Sequence, residues 1–355
     1  MKELLKQLTA LSGPCGYEHS VVSFLKEYVS DKVDKVTIDP IGNVIARKRG
    51  TSPGPIILLT AHMDEIGFIV KKIEENGLLR FEKLGGNDDR ILLAQPVKVM
   101  GELGDVEGVI GTISAHYAKF DDPGKVRKHS QMYIDIGARS KSEAMEMGID
   151  VGTPVVWGTP FQEFGPEAAR KVRAKSLDDR VGCAVLLQTL NEIQDEPFAG
   201  ELIFLFTVQE EVGLRGAKTA SETIEAAAAI AVDTTAVSDT LEDTMDQSLK
   251  LGEGAGIKIM DFSLIVHKTM KDLLIQLAKE KGIPYQLEVF TGIGTDGGAV
   301  NYANKGIPTG VLSVPSRYAH SPIEVVDLHD LEATKNLLKA FILSLREGQT
   351  FPFCS

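Results

Sequence analysis

The spacing of apolar residues near the N-terminus predicts two amphipathic helices followed by strands. Four leucines within residues 4–11 fall on one helical face, and VVSFLKEYV (21–29) has the same period. KVTIDPIGNVIARKRG (35–50) is typical of two short strands around a Pro-Ile-Gly-Asn turn. GPIILLTAHMD (54–64) is apolar almost to its end, which indicates a strand buried on both faces.

From Gly67 to Pro166 the pattern changes to short, β-rich segments separated by Gly, Asn and Asp. FIVKKI, LLRFEKLG, PVKVMGEL and TPVVWG are examples, and helical signals between them are few. We interpret 68–166 as a small β-barrel-like domain inserted into a larger domain made of 1–67 and 167–355. Such insertions are tolerated where the two chain ends lie close together.

Beyond Ser176 helical and strand patterns alternate. DDRVGCAVLLQTLNEIQ, TMKDLLIQLAKEKG and DLEATKNLLKAFILSL are helical, whereas ELIFLFTV, YQLEVF and TGVLSV indicate strands. AAAAIAVDT also fits a strand best, despite its alanines. This alternation predicts an α/β fold with a mostly parallel sheet flanked by helices.

Composition and charge exclude several classes of partner. The 355 residues are 43% hydrophobic and carry a formal net charge of −12, which argues against nucleic acid as the main partner. We find no apolar run long enough to span a bilayer, and the amphipathic N-terminal helix is not a signal peptide. The three cysteines are odd in number and widely spaced, so a reducing cytoplasm is the expected location.

Polar residues directly follow the apolar runs that predict buried strands. Because sites in α/β proteins gather beyond the carboxyl ends of strands, these residues are the candidates for function. KSLDDR adds two aspartates at a predicted helix start, where carboxylates are also reasonable N-caps. The candidates are His62, Asp64, Glu65, Asp178, Asp179, Glu210, Glu211, Asp233 and His320.

Several carboxylates in one cleft would repel one another and be driven to protonate. A divalent cation removes this problem, and nitrogen and oxygen ligands without thiolate suit Zn²⁺, Co²⁺ or Mn²⁺. With this many carboxylates, two ions that share one bridging carboxylate and activate water for hydrolysis become a reasonable hypothesis.

Each residue also has an ordinary structural explanation. A single histidine after a strand is more often a core or surface residue than a ligand, and a Glu-Glu pair is usually a solvated loop. Asp233 could form a turn, and Asp296 in the Gly-rich TGIGTDGG segment could contact substrate or cap a helix beginning near Ala299. The hypothesis of a site rests on the recurrence of such residues after four separate buried strands.

The motifs AHMDEIGF, KSLDDRVG, TVQEEVGLRGA, AVDTT and RYAHSPIEVVDL together resemble the M42 family of dinuclear metallo-aminopeptidases, which includes the TET peptidases and glutamyl aminopeptidase. They occur in the family's order along most of the chain. By this resemblance, His62, Asp178 and Asp233 would hold one metal ion. Asp178 would bridge to a second ion held with Glu211 and His320.

The resemblance also implies the remaining roles. Glu210 would be the general base, and Asp64 would orient His62 as a ligand. The substrates would be peptides, and two zinc or cobalt ions, with manganese as a further option, would be the cofactors. The inserted β-domain would mediate self-association into dimers, and six dimers would form a dodecamer.

Other functions remain open at this point. A related dinuclear amidohydrolase, such as a carboxypeptidase or an N-acyl amino-acid deacylase, would use a similar ligand set. An endoglucanase would need two carboxyl groups facing each other across a glycosidic bond and usually no metal. A metal-stabilised scaffold without catalysis is disfavoured, because Glu210 exceeds what ligation requires.

Overall fold

The computed structural model describes residues 1–122, 124–166 and 170–353, with only the backbone of Phe120. Eight α-helices lie within these ranges: α1 Lys2–Ala10, α2 His19–Val29, α3 Lys141–Glu146, α4 Leu177–Glu192, α5 Arg215–Ser221, α6 Lys268–Lys281, α7 Asp296–Tyr302 and α8 Leu328–Ser344. The predicted N-terminal amphipathic helix is α1, whose buried residues include Leu4, Leu5 and Leu8.

Eleven described strands form one large sheet. They are β1 Lys35–Ile38, β2 Val44–Arg49, β3 Ser52–His62, β10 Gln162–Phe164, β11 Lys171–Ala174, β12 Ala199–Thr207, β13 Ala228–Ala236, β14 Ala255–Met260, β15 Tyr285–Val289, β16 Thr309–Arg317 and β17 Glu324–Asp327. Their order is β1-β2-β12-β3-β13-β16-β17-β11-β10, with β14 against β16 and β15 beyond it.

The α/β fold is confirmed, and the sheet is mixed. Its centre is parallel, because β12, β3, β13 and β16 pair in parallel register. The flanking pairs β1-β2, β16-β17 and β17-β11 are antiparallel. A short turn joins β1 to β2, and a turn of that length permits only an antiparallel pair.

The remaining six strands close into the predicted barrel. They are β4 Gly67–Ile73, β5 Leu79–Leu84, β6 Pro96–Gly101, β7 Gly104–Ile110, β8 Ile134–Asp135 and β9 Pro154–Trp157. The closed order is β4-β5-β8-β7-β6-β9, and every pair in it is antiparallel. Closure removes the unpaired sheet edges that a small β-domain would otherwise expose.

The barrel and the large sheet have separate hydrophobic cores, and the large sheet has a further cluster in which Leu58, Ile203 and Leu205 pack with residues of α5 and α7. The barrel has its own core around Phe68, Phe81 and Trp157. The main core lies between the large sheet and a helical layer that includes α4 and α8. The strand β10 pairs with β11 of the large sheet, although it precedes Pro166. The predicted boundary between 166 and 167 borders residues 167–169, outside the described ranges, and stays a prediction.

No described helix is long and apolar enough to cross a membrane.

Candidate metal centre

The candidate residues gather at the carboxyl ends of the parallel strands in the centre of the sheet. β3 ends at His62, and the neighbouring β12 ends at Thr207, which lies beside His62 in register. Asp233 lies in β13, and His320 follows β16 by three residues. Because these strands are parallel neighbours, residues far apart in the sequence converge at one edge.

Asp178 occupies the centre of this group. Its Oδ1 lies 3.2 Å from His62 Nε2, and its Oδ2 lies 3.4 Å from His320 Nε2. Asp233 Oδ1 lies 3.8 Å from His62 Nε2, and Glu211 Oε1 lies 3.2 Å from His320 Nε2. The two oxygens of one carboxylate therefore face two histidines, and each histidine has a further carboxylate beside it.

Asp179 is also close to this group. Its carboxylate oxygen lies within 4.8 Å of possible ligand atoms of His62 and Asp233. These three residues form a second possible ligand group, besides the group of His62, Asp178 and Glu211. However, Asp179 Oδ1 accepts a hydrogen bond from the amide of Gly182 at 2.9 Å. One Asp179 oxygen therefore bonds the backbone of α4, whereas its Oδ2 has no hydrogen-bond partner among the described residues. Asp178 faces the histidines.

Asp64 connects three parts of the site. Its Oδ1 lies 3.4 Å from His62 Nδ1, and it is fully buried. Its two oxygens also accept hydrogen bonds from the backbone amides of Glu210 and Glu211, at 2.9 and 3.2 Å. The contact with His62 was expected, whereas the two amide contacts were not. Asp64 therefore lies beside the imidazole and holds, by two hydrogen bonds, the loop that carries the two glutamates.

Glu324 makes a similar contact on the opposite side and was missed in the sequence analysis. Its Oε2 accepts from the amide of Asp178 at 2.9 Å, and its Oε1 accepts from the amide of His320 at 3.0 Å. It is 1% exposed. The signal was present, because a glutamate in the otherwise apolar PIEVV stretch must be buried with partners.

Glu65, another candidate, lies outside the metal cluster. Both of its carboxylate oxygens accept from Lys175 Nζ at 2.8 Å, and its Oε1 accepts from the amide of Gly13 at 2.9 Å. Arg180 Nη2 approaches it at 3.6 Å. Glu65 thus joins the N-terminal segment to the start of α4 through a buried ion pair.

Asp296 lies close to Glu210 and Asp233 and does not cap its helix. α7 begins at Asp296 with Thr295 as the N-cap, three residues earlier than expected. The Asp296 carboxylate accepts from the hydroxyls of Thr207 and Thr60, at 2.5 and 3.4 Å. Its other oxygen, Oδ1, has no partner among the described residues. Asp296 therefore adds a further carboxylate close to the cluster, and it does not line the cavity.

The carboxylates of the cluster are buried and repel one another, and a bound cation would compensate their charge. Burial, together with the charges of Asp233 and Asp296, raises the pKa of Glu210 well above its usual range, although His62 opposes this. Burial and Asp178 raise the pKa of Asp233 in the same way. These carboxyl groups would therefore retain protons unless positive charge compensated them.

The histidines supply that positive charge when they are protonated. Burial lowers the pKa of His320, but its contacts with Asp178 and Glu211 outweigh burial and raise the pKa to about 12. Divalent cations compete with these protons, since ligands bind metal in their deprotonated forms. Imidazole and carboxylate donors without thiolate fit Zn²⁺, Co²⁺ or Mn²⁺. The residues present therefore fit divalent metal.

The cluster opens into a cavity of about 320 Å³. One wall carries the polar cluster together with Glu210. The other walls consist of small and apolar residues, which are Gly213, Leu214, Thr234, Thr235, Ala236, Phe262, Gly292, Ile293, Gly294 and Ala319. A substrate group can thus reach the carboxylates while a side chain contacts the apolar walls.

Histidines and carboxylates that converge at the carboxyl edge of an α/β sheet, beside an open cavity, define the class of a metal-dependent hydrolase. The chain belongs to the M42 peptidase family: the family model described as M42 glutamyl aminopeptidase matches residues 42–337. The resemblance seen in the motifs is thereby confirmed, and the protein is an aminopeptidase.

Similar proteins support the same assignment. A putative aminopeptidase of Acetivibrio thermocellus is 39% identical over 338 residues, which cover 95% of this chain and 97% of the relative. The lysyl aminopeptidase of Pyrococcus furiosus is 32% identical over 352 residues, or 97% of both chains.

Solved structures extend the likeness to the whole fold. Aminopeptidase APDkam598 of Desulfurococcus kamchatkensis has a TM-score of 0.91 at 39% identity, over 96% of this chain and 94% of that one. The TET1 peptidase of Pyrococcus horikoshii has a TM-score of 0.87 at 35% identity, over 97% of this chain and 99% of that one. It is described as assembling into a tetrahedron or a large octahedral shell. A Thermotoga maritima endoglucanase has a TM-score of 0.77 at 32% identity, over 95% of this chain and 96% of that one.

Proposed function

We propose that the enzyme removes N-terminal residues from peptides with two divalent ions held around Asp178. His62 and Asp233 would complete one ligand set, and Glu211 and His320 the other. The observation that carries this proposal is the placement of the two Asp178 oxygens, at 3.2 and 3.4 Å from the two histidines. Zinc, cobalt and manganese all suit these donors.

Bound divalent ions would acidify a water molecule and polarise the scissile carbonyl. Glu210 would take the proton of that water as general base and then deliver it to the leaving amine as general acid. Burial and the neighbouring carboxylates raise the pKa of Glu210, and the charge of bound divalent ions would oppose that rise and favour the carboxylate form that can accept a proton. The free α-amine of the substrate would dock beside the acidic residues, which favours N-terminal cleavage.

We propose self-association through the inserted barrel, residues 68–166, with a dimer as the unit of a dodecamer. The TET1 relative supports this, because it has been described as a dodecamer and as a tetrahedral or octahedral assembly. A cytoplasmic location is supported by Cys15 and Cys183, which are buried free thiols; Cys354 lies outside the described residues.

A panel of aminoacyl-p-nitroanilides, assayed with each metal, tests the proposed activity. We expect hydrolysis of substrates with a free α-amine, and loss of that activity after chelation. N-acylated analogues and β-glucan should remain intact. Cleavage of N-acylated peptides would instead identify a deacylase or carboxypeptidase, and chelator-resistant cleavage of β-glucan would identify an endoglucanase.

Glu324→Gln should weaken the binding of both ions together. The substitution replaces one carboxylate oxygen by an NH₂ group, which cannot accept a hydrogen bond from a backbone amide. The amides that Glu324 binds are those of His320 and of Asp178, the proposed ligand of both ions. Loss of outer-shell partners typically lowers metal affinity by about 10- to 100-fold. Equilibrium dialysis with Co²⁺ measures this, and a variant that binds both ions as tightly as wild type would contradict the assignment.

A further inference from the structure

A turn of the inserted barrel reaches into the candidate metal centre. Gly85, Gly86 and Asn87 follow β5 and are called the barrel turn below. The carbonyl oxygen of Gly86 lies 2.9 Å from His320 Nδ1, on the side of the ring opposite the Nε2 that faces Asp178 and Glu211. A residue of the barrel therefore contacts a predicted ligand 234 positions away.

The backbone of the barrel turn packs tightly against this half of the site. A Cβ added at Gly86 would lie 3.0 Å from His320 Nδ1. A Cβ added at Gly85 would lie 2.7 Å from Ile66 Cγ2 and 3.2 Å from Glu211 Cβ, and Gly85 also has a positive φ of +78°. Only glycine at these two positions allows the backbone to pass so close to His320 and Glu211.

Several hydrogen bonds fix the barrel turn in this position. Asn87 Nδ2 donates to the carbonyls of Gly67 and Leu84, at 3.2 and 3.3 Å. Lys83 Nζ donates to the carbonyl of Asn87 at 2.6 Å. Asn87 is 8% exposed, and its bond to the carbonyl of Gly67 is buried. The barrel turn is thus tied to the first strand of the barrel, directly after the His62–Glu65 segment.

The contact determines which nitrogen of His320 can bind metal. A carbonyl oxygen can only accept, so Nδ1 carries a hydrogen in this contact, and in the neutral, metal-binding form of His320 the lone pair is then on Nε2. Outer contacts of this kind fix the orientation of a ligating histidine and raise its basicity. The two histidines differ in this respect, because His62 has Asp64 of the large domain beside its Nδ1, at 3.4 Å.

We propose that the barrel turn is a positioning element for the second metal ion, the one held by Glu211, His320 and Asp178. The inserted barrel then has a role inside the catalytic centre in addition to any role in assembly. Displacement of the turn weakens the second ion selectively, because the first ion depends on His62 and Asp233. This inference rests on the proposed two-ion site.

Gly86→Ala tests the proposal, because its methyl group pushes against the His320 ring. We expect the second Co²⁺ to bind about 10- to 100-fold more weakly, by calorimetric titration, while the first keeps its affinity. Activity should recover when the metal concentration is raised, with an unchanged KM for peptide. Gly124→Ala is the matched control, since its added Cβ meets only Asp122 Oδ1, at 3.5 Å.

Asn87→Ala gives an independent test if Gly86→Ala does not fold. It removes the hydrogen bonds from the Asn87 side chain that hold the barrel turn, without placing an atom against His320. It should also weaken the binding of the second Co²⁺. Wild-type affinity for both ions in a folded variant of either kind would overturn the proposal, as would equal weakening of both ions. Wild-type protein that binds fewer than two ions would instead overturn the proposed function.

Discussion

Glu210→Gln is expected to lower kcat by about 10²- to 10⁴-fold while the protein keeps both metal ions. Glutamine has nearly the same shape but cannot take a proton from water. The side chain lines the cavity beside the predicted ligands, and burial raises its pKa well above the usual range. Turnover of an aminoacyl-p-nitroanilide and metal content by elemental analysis are the two measurements.

Glu211→Gln is the matched control, because it makes the same chemical change one residue away. Glu211 Oε1 lies 3.2 Å from His320 Nε2, so this variant should lose affinity for the second ion. Its activity should return in part at high metal concentration, unlike that of Glu210→Gln. If the two variants exchanged these behaviours, the roles of base and ligand would have to be exchanged as well.

Asp64→Asn is expected to have the second large effect, and it should impair metal binding and catalysis together. Asp64 uses both oxygens for the amides of Glu210 and Glu211 and also lies beside His62. Asparagine keeps one acceptor and turns an NH₂ group towards an amide or the imidazole. We expect about 10- to 100-fold weaker metal binding, and a further loss of about 100-fold in kcat from the displaced base.

The comparison with Asp330→Asn separates this role from ordinary stabilisation. Asp330 is also fully buried and also accepts from two backbone amides, those of Gly252 and Gly254, at 2.7 and 2.8 Å. Both variants should therefore have a lower Tm. Only Asp64→Asn should lose metal affinity, and its kcat should stay low at saturating metal. Equal metal affinity in the two variants would reduce Asp64 to a structural residue.

The two adjacent glutamates illustrate what strand periodicity can decide. Alternation makes neighbouring side chains of a strand point to opposite faces, but it does not apply to this pair, because β12 ends at Thr207, before it. Glu210 and Glu211 lie in a loop whose amides are held by Asp64. The position of this loop therefore depends on the buried carboxylate of Asp64, in the loop between β3 and β4, and no local pattern contains that information.

The sequence by itself determined the elements of this protein and the family to which it belongs. Apolar periodicity is local, so the amphipathic helix α1, the buried strand β3 and the β-rich insertion could all be predicted from it. The position of polar residues after apolar runs likewise indicated the candidate metal centre. Motif order then identified the M42 family, which the family model confirmed over residues 42–337.

Only the tertiary structure decided which groups support those residues. Glu324 bonds the amides of Asp178 and His320, and Gly86 contacts His320 across 234 positions of the chain. Such contacts use backbone amides and carbonyls, which nearly every residue has in the same form. A residue such as Glu324 can therefore be expected to have buried partners, but the sequence does not show which backbone groups they are. These contacts arise only when strand order and barrel closure bring distant segments together.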